Sequence, residues 1–169
     1  MDSYILDTNI ISALLKVDHP RHIDVESAIS SIAPDSSKYV SVVTLAEIEF
    51  GLELARFNSL DTPQLRDIVE RARAMPLHAV TRHTAKCYGE IKAAVATKFL
   101  PKRAKLVSKG LQRWPTQWVD EFSGELLQLD ENDIWIAAQA LERNFVLFTT
   151  DKGMRRIGEA VTNLRMRHI

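Results

Sequence analysis

Two short runs, each apolar and each stopping at an acid, constrain the fold of this chain more than anything else in it. Tyr4-Ile5-Leu6 ends at Asp7, and Phe145-Val146-Leu147-Phe148 runs through Thr149 and Thr150 to Asp151. A strand with no polar face has to be covered on both sides, which is the mark of a parallel sheet sandwiched by helices. The intervening sequence supplies the cover. Ile10, Ile11, Leu14 and Leu15 fall on one helical face, as do Val25, Ala28, Ile29 and Ile32. Leu45, Ile48, Leu52 and Ala55 repeat the spacing after Thr44, and Leu65, Ile68, Val69 and Ala72 repeat it after Thr62-Pro63. Tyr88, Ile91 and Val95 form a further helix, and Ile134, Ala137, Ala138 and Leu141 another. Residues 39–43 and 76–80 read as further strands, and residues 164–167 as a last one. Strands alternating with helices give an α/β fold, in which ligands bind beyond the carboxyl ends of the strands.

At 169 residues the chain suits one domain, expected to span 1–169 with an insertion at about 99–129. That stretch loses helical periodicity and holds Pro101, Gly110, Pro115, Gly124, Trp114 and Trp118. Its charge is polarised. Residues 98–113 carry six bases and no acid, whereas 114–133 carry six acids and no base. The whole chain balances 22 bases against 22 acids, so bulk charge selects no polyanionic partner, though a local cationic face is still open to it. The single Cys87 excludes an internal disulfide. With no apolar leader and no run long enough to span a bilayer, the expectation is a soluble, cytoplasmic chain with no membrane partner.

Four acids fall where strands give way to helices: Asp7, Glu47 three residues after Thr44, Asp133 at the head of a helix, and Asp151. Singly, each has a bland explanation. Asp7 and Asp151 suit N-caps, Thr44 to Glu47 has the spacing of a capping box, and Asp133 suits a helix dipole. Jointly, a parallel sheet would bring all four to one edge, where like charges raise one another's pKa unless a cation neutralises them. Hard oxygen ligands without Cys or His suit Mg²⁺ or Mn²⁺. Such ions activate water and offset the charge developing on a phosphodiester.

Four segments carry a resemblance. Leu6-Asp7-Thr8-Asn9-Ile10, the stretch from Val42 through Glu47 to Gly51, Glu131-Asn132-Asp133-Ile134 with the residues up to Ala138, and Thr149-Thr150-Asp151-Lys152-Gly153-Met154 occur in the order typical of PIN-domain ribonucleases. The sequence resembles in particular the VapC toxins of type II toxin–antitoxin modules. The resemblance implies a three-layer α/β/α sandwich around a mainly parallel sheet. It implies Asp7, Glu47, Asp133 and Asp151 as catalytic residues and ligands of Mg²⁺ or Mn²⁺, with Asn9 and Thr149 supporting them. It also implies endonucleolytic hydrolysis of RNA that leaves 5′-phosphate and 3′-hydroxyl ends, a cognate antitoxin protein as partner, and a homodimer.

The 99–129 stretch is longer than the connection usual in that family. It is expected to form a lobe beside the site, with Lys102, Arg103 and Lys105 on RNA phosphates and Trp114 or Trp118 free to stack on a base. The bland alternative packs both tryptophans onto the domain. His78 and His83 are read as structural and not as an acid–base pair, Cys87 as core, and Glu49 and Glu53 as pointing away from Glu47. Asn9 stands where a haloacid-dehalogenase-like phosphatase would need a second Asp, which disfavours that chemistry. An RNA-processing nuclease without an antitoxin, or a PIN-like module that binds without cutting, stays open.

Overall fold

The computed structural model describes residues 2–105 and 114–169. In chain order the elements are β1 (Ser3–Leu6), α1 (Thr8–Leu15), α2 (His22–Ser30), β2 (Ser37–Ser41), α3 (Val42–Phe57), α4 (Pro63–Arg73), β3 (Leu77–His78), α5 (Arg82–Phe99), α6 (Pro101–Lys105), α7 (Glu131–Arg143), β4 (Val146–Thr149), α8 (Lys152–Ala160) and β5 (Met166–His168). The five strands form one sheet in the order β3-β2-β1-β4-β5, and every pairing in it is parallel. Leu6 lies opposite Val40 on one side and Phe148 on the other, so the carboxyl ends of the three central strands finish level. The strand order reverses between β1 and β4, the place where an open parallel sheet leaves a crevice.

The apolar alternation expected of such a sheet divides the core in two. Leu6, Val40 and Phe148 pack with Ile10, Ile11, Val25 and Ala72 of α1, α2 and α4. Ile5 and Leu147 face the other way, onto Ile91 and Val95 of α5, Ile134 of α7, and Met154 and Ile157 of α8. The architecture is the three-layer α/β/α sandwich.

Several local expectations need correction. Val42 and Val43 belong to α3 and not to the second strand, because Ser41 closes β2 and caps the helix, its Oγ accepting from the Val43 amide at 2.9 Å. Thr44 is therefore a fully buried residue inside the first turn, and no Thr44–Glu47 capping box forms. Glu47 stands in the second turn. The third strand shrinks from 76–80 to two residues, Leu77 and His78.

Trp118 is 0% exposed and packs in the α5–α7–α8 core with Leu127 and Leu129, so it cannot stack on a base. Burying so large a ring outweighs any surface role, at several kcal/mol of transfer free energy. Trp114 is 51% exposed. Glu121 accepts from the amides of Lys102 and Arg103 at 2.8 and 3.0 Å, and its carboxylate lies 4.0 Å from the Arg103 guanidinium. The acidic part of the 99–129 stretch thus closes back on Lys102 and Arg103. The side chain of Lys105 and all of 106–113 lie outside the described residues.

Candidate active site

Asp7 and Asp151 reach their positions as the N-caps of α1 and α8, and Asp133 as the third residue of α7, in a capping box closed by Asp130. Asp7 and Asp151 are extended residues just past strands of the sheet, where a short polar side chain can accept from the first amides of the next helix. Asp7 Oδ1 accepts from the Thr8 amide at 2.7 Å, and Asp151 Oδ1 from the Gly153 and Met154 amides at 2.6 and 3.3 Å. Asp133 forms a reciprocal box with Asp130, amide to carboxylate at 2.8 Å one way and 2.9 Å the other. The bland reading therefore holds for these three: Asp7 and Asp151 cap helices, and Asp133 sits in the first turn of one. Capping aims three helix starts and three carboxylates at one crevice.

Glu47 arrives differently. Its carboxylate accepts from Thr8 Oγ1 at 2.5 Å and from Asn132 Nδ2 at 2.9 Å. Those bonds tie α3 to the starts of α1 and α7. Thr149 Oγ1 donates to Asp7 Oδ2 at 2.7 Å and accepts from the Asp151 amide at 2.9 Å, linking two of the acids through one hydroxyl. Asn9 Nδ2 donates to Asp151 Oδ2 at 3.1 Å. Asp7, Glu47, Asp133 and Asp151 line one cavity of about 420 Å³, with Asn9, Thr8, Asp130, Thr116 and Gln128. Thr149 is fully buried behind Asp7.

The electrostatics of this cavity are those of a site short of positive charge. Asp7 is 2% exposed, and burial raises its carboxyl from an ordinary 3.8 to about 6. Asp151 and Glu47 push it the same way, against the lowering effect of the Thr149 and Thr8 hydrogen bonds. Burial takes Asp133 further, to about 8, with Asp130, Asp7 and Asp151 adding repulsion. A bound cation would reverse each of these effects. The donors are all hard oxygens, so the residues present fit Mg²⁺ or Mn²⁺. In this arrangement the carboxylates line the cavity without closing on a point. No group of three acids, histidines or cysteines among the described residues is gathered tightly enough to grip an ion.

The profile of the PIN domain family matches residues 4–160. The chain belongs to the PIN-domain family. Among solved structures it is similar to a chain of VapBC2 from Rickettsia felis, a complex bound to a DNA fragment from its promoter. The two are 20% identical, with 98% of each chain covered and a TM-score of 0.60. It is similar also to a chain of VapBC-1 from nontypeable Haemophilus influenzae, at 24% identity, 98% and 97% coverage and a TM-score of 0.57. A third is VapBC-5 from Mycobacterium tuberculosis, at 18% identity with both chains fully covered and a TM-score of 0.60. At these identities the likeness is one of fold. Compared with the curated proteins, the sequence matches none.

Sequence reasoning missed the residues that hold or rim the acids: Thr8, Asn132, Thr116 and Gln128. Only Thr8 and Asn132, each adjoining a predicted acid, carried any local signal. Thr116 and Gln128 belong to the 99–129 stretch, which therefore reaches the cavity by its acidic half and not by Lys102 or Arg103. His78 packs edge-on against Tyr39 and Phe145, and His83 is exposed; neither lines the cavity. Cys87 packs at the margin of the core. Glu49 pairs with Arg73 and Glu53 with Arg56, away from Glu47.

Proposed function

We propose that this PIN-domain protein is a divalent-metal-dependent endoribonuclease, acting as the toxin of a toxin–antitoxin pair. The observation that carries the reading is the convergence of Asp7, Glu47, Asp133 and Asp151, from four separate parts of the chain, on one cavity at the sheet's switch point. A structural role explains each cap, but it does not explain why the buried Asp7 and the half-buried Asp133, its carboxyl raised in part by Asp7, line one cavity with two further acids.

The four acids would hold Mg²⁺ or Mn²⁺. When bound, the ion supplies Lewis-acid neutralisation of the phosphodiester and a water of lowered pKa. Thr149 fixes Asp7 from behind, so that carboxylate keeps its direction as the substrate arrives. Asn9 does the same for Asp151, and Thr8 with Asn132 for Glu47. Supports of this kind orient the groups that touch an ion or substrate. Hydrolysis would break the P–O3′ bond and leave a 5′-phosphate and a 3′-hydroxyl.

The toxin assignment draws on the fold likeness to chains of VapBC complexes. A surface feature supports a protein partner. Phe50 and Phe57 of α3 are 67% and 86% exposed, and Phe50 lines an apolar groove with Val80 and Trp135 that also touches Glu47. An antitoxin segment or a second copy of the chain, seated there, would cover apolar surface beside the site. Among the described residues no helix is long and apolar enough to cross a membrane.

The test is 5′-end mapping of total RNA after incubation with the protein and Mn²⁺ or Mg²⁺. EDTA and Asp7→Asn serve as controls. Discrete new 5′-phosphate ends, absent in both controls, are expected. Folded, antitoxin-free protein that yields no new ends would refute the nuclease and leave a binding module.

A further inference from the structure

Four carboxylates outweigh the charge of one divalent ion, so the site still repels the strand it is meant to cut, and a chain of zero net charge has no general attraction to offset that. Cations must therefore stand close beside the acids. The basic segment at α6 serves poorly, since Arg103 is already faced by Glu121. The flank along α8 differs. Beyond Gln128, which lines the acid cavity, a second groove of about 340 Å³ continues along α8, lined by Gln128, Lys152, Arg155 and Arg156 with Glu125 and Glu159.

The two acids of this groove are both taken up by one base: Arg156 lies 3.6 Å from Glu125 and 3.7 Å from Glu159. Lys152 and Arg155 are exposed, and neither forms an ion pair within 4.0 Å among the described residues. Lys98 adds a further cation at the far end, its Nζ donating to the Glu159 carbonyl at 2.6 Å. The groove is also coupled to the site. Lys152 follows Asp151 directly, while Arg155 Nη2 donates to His168 Nδ1 at 3.0 Å and His168 Nε2 stands 3.2 Å from the Asp151 carbonyl.

Resting on the nuclease reading above, we infer that this groove is where the RNA strand leaves the acid cavity, with Lys152 and Arg155 pairing to the backbone phosphates next to the scissile bond. Exposed, uncompensated cations at this spacing read phosphate and not base sequence, so the groove sets affinity and register while leaving cut-site choice to other contacts.

The test uses the Asp7→Asn chain in EDTA, so that nothing is cut, titrated into a short fluorescein-labelled single-stranded RNA over a series of potassium chloride concentrations. Adding Lys152→Gln and Arg155→Gln is expected to weaken binding about tenfold and to make the log-affinity against log-salt slope shallower by roughly 1.4, the value for two lost phosphate contacts on a single strand. Lys152→Gln alone, which leaves the His168 contact intact, should give about half that change in slope. A charge-matched control, Arg66→Gln with Lys86→Gln, should change neither. Unchanged affinity and slope in the folded double variant, or an equal loss in the control, overturns the groove while a wild-type chain that still cuts RNA keeps its nuclease assignment. A wild-type chain that neither binds nor cuts RNA overturns both. Polyglutamate competing as well as unlabelled RNA overturns the assignment to RNA and gives the groove to an acidic protein.

Discussion

Replacing Gly153 by alanine should damage this protein, although helix propensity alone predicts the reverse. Gly153 is the second residue of α8, where alanine is worth up to about 1 kcal/mol over glycine. A Cβ built at Gly153, however, would lie 2.0 Å from the backbone oxygen of Gln128, 2.8 Å from its carbonyl carbon and 3.0 Å from Asp151 Oδ1. Ordinary contact needs separations near 3.5 Å, so the two backbones must part by more than about 1 Å. Neither can yield cheaply. Gln128 holds a left-handed conformation at φ 56°, between the buried Leu127 and Leu129, and Asp151 is pinned by the Gly153 amide itself. Overpacking of this kind costs about 1–3 kcal/mol, or roughly 2–12 °C in melting temperature at this chain length. Gln128 and Asp151 both line the acid cavity, so cleavage should fall with stability. Gly158→Ala is the matched comparison in the same helix. Its Cβ meets only the flexible end of Met166, at 3.3 and 3.6 Å, and should leave the melting temperature level or slightly raised. Thermal melting of the three chains, with RNA cleavage measured alongside, decides the matter. A Gly153→Ala chain as stable and active as wild type would refute the reasoning.

Two further outcomes follow from the same geometry. Asp7 and Asp133 hold their protons more tightly folded than unfolded, with carboxyls at about 6 and about 8 against an ordinary 3.8. The folded chain therefore binds more protons across that window, and without metal its stability should fall as pH rises from about 5 to about 8. Asp133→Asn should flatten the fall, and a melting temperature that climbs with pH over the same range would contradict the sign. Trp118→Ala should cost about 3–5 kcal/mol as a core truncation, while Trp114→Ala, half exposed, should cost far less; equal losses in chemical denaturation would contradict the burial of Trp118.

Much of the fold was legible because it rests on local pattern. The apolar runs ending at Asp7 and Asp151 mark strands that have to be covered on both faces, and helical spacing marks the cover. Legibility stopped where position depends on distant parts of the chain. Val42 and Val43 are β-branched and read as strand, yet Ser41 caps the helix that contains them. Trp118 carries no signal separating a buried ring from an exposed one in a segment without periodicity; its burial comes from α5, α7 and α8 packing around it. The acids themselves were visible, but not their supports. Nothing local says that Asn132 will reach Glu47 or that Gln128 will meet Gly153, because each contact is made only when the sheet brings separate loops to one edge.

The central question is whether the four acids act together on a cation. Calorimetric or electron paramagnetic resonance titration of Mn²⁺ into the RNA-free protein measures that, with Asp7→Asn, Glu47→Gln, Asp133→Asn and Asp151→Asn run beside the wild type. Saturable binding by the wild-type chain, weakened by each substitution and tighter at pH 8 than at pH 6 as protons leave Asp7 and Asp133, is the predicted result. A folded wild-type chain that binds no Mn²⁺, or binds it unaltered in all four variants, would contradict it.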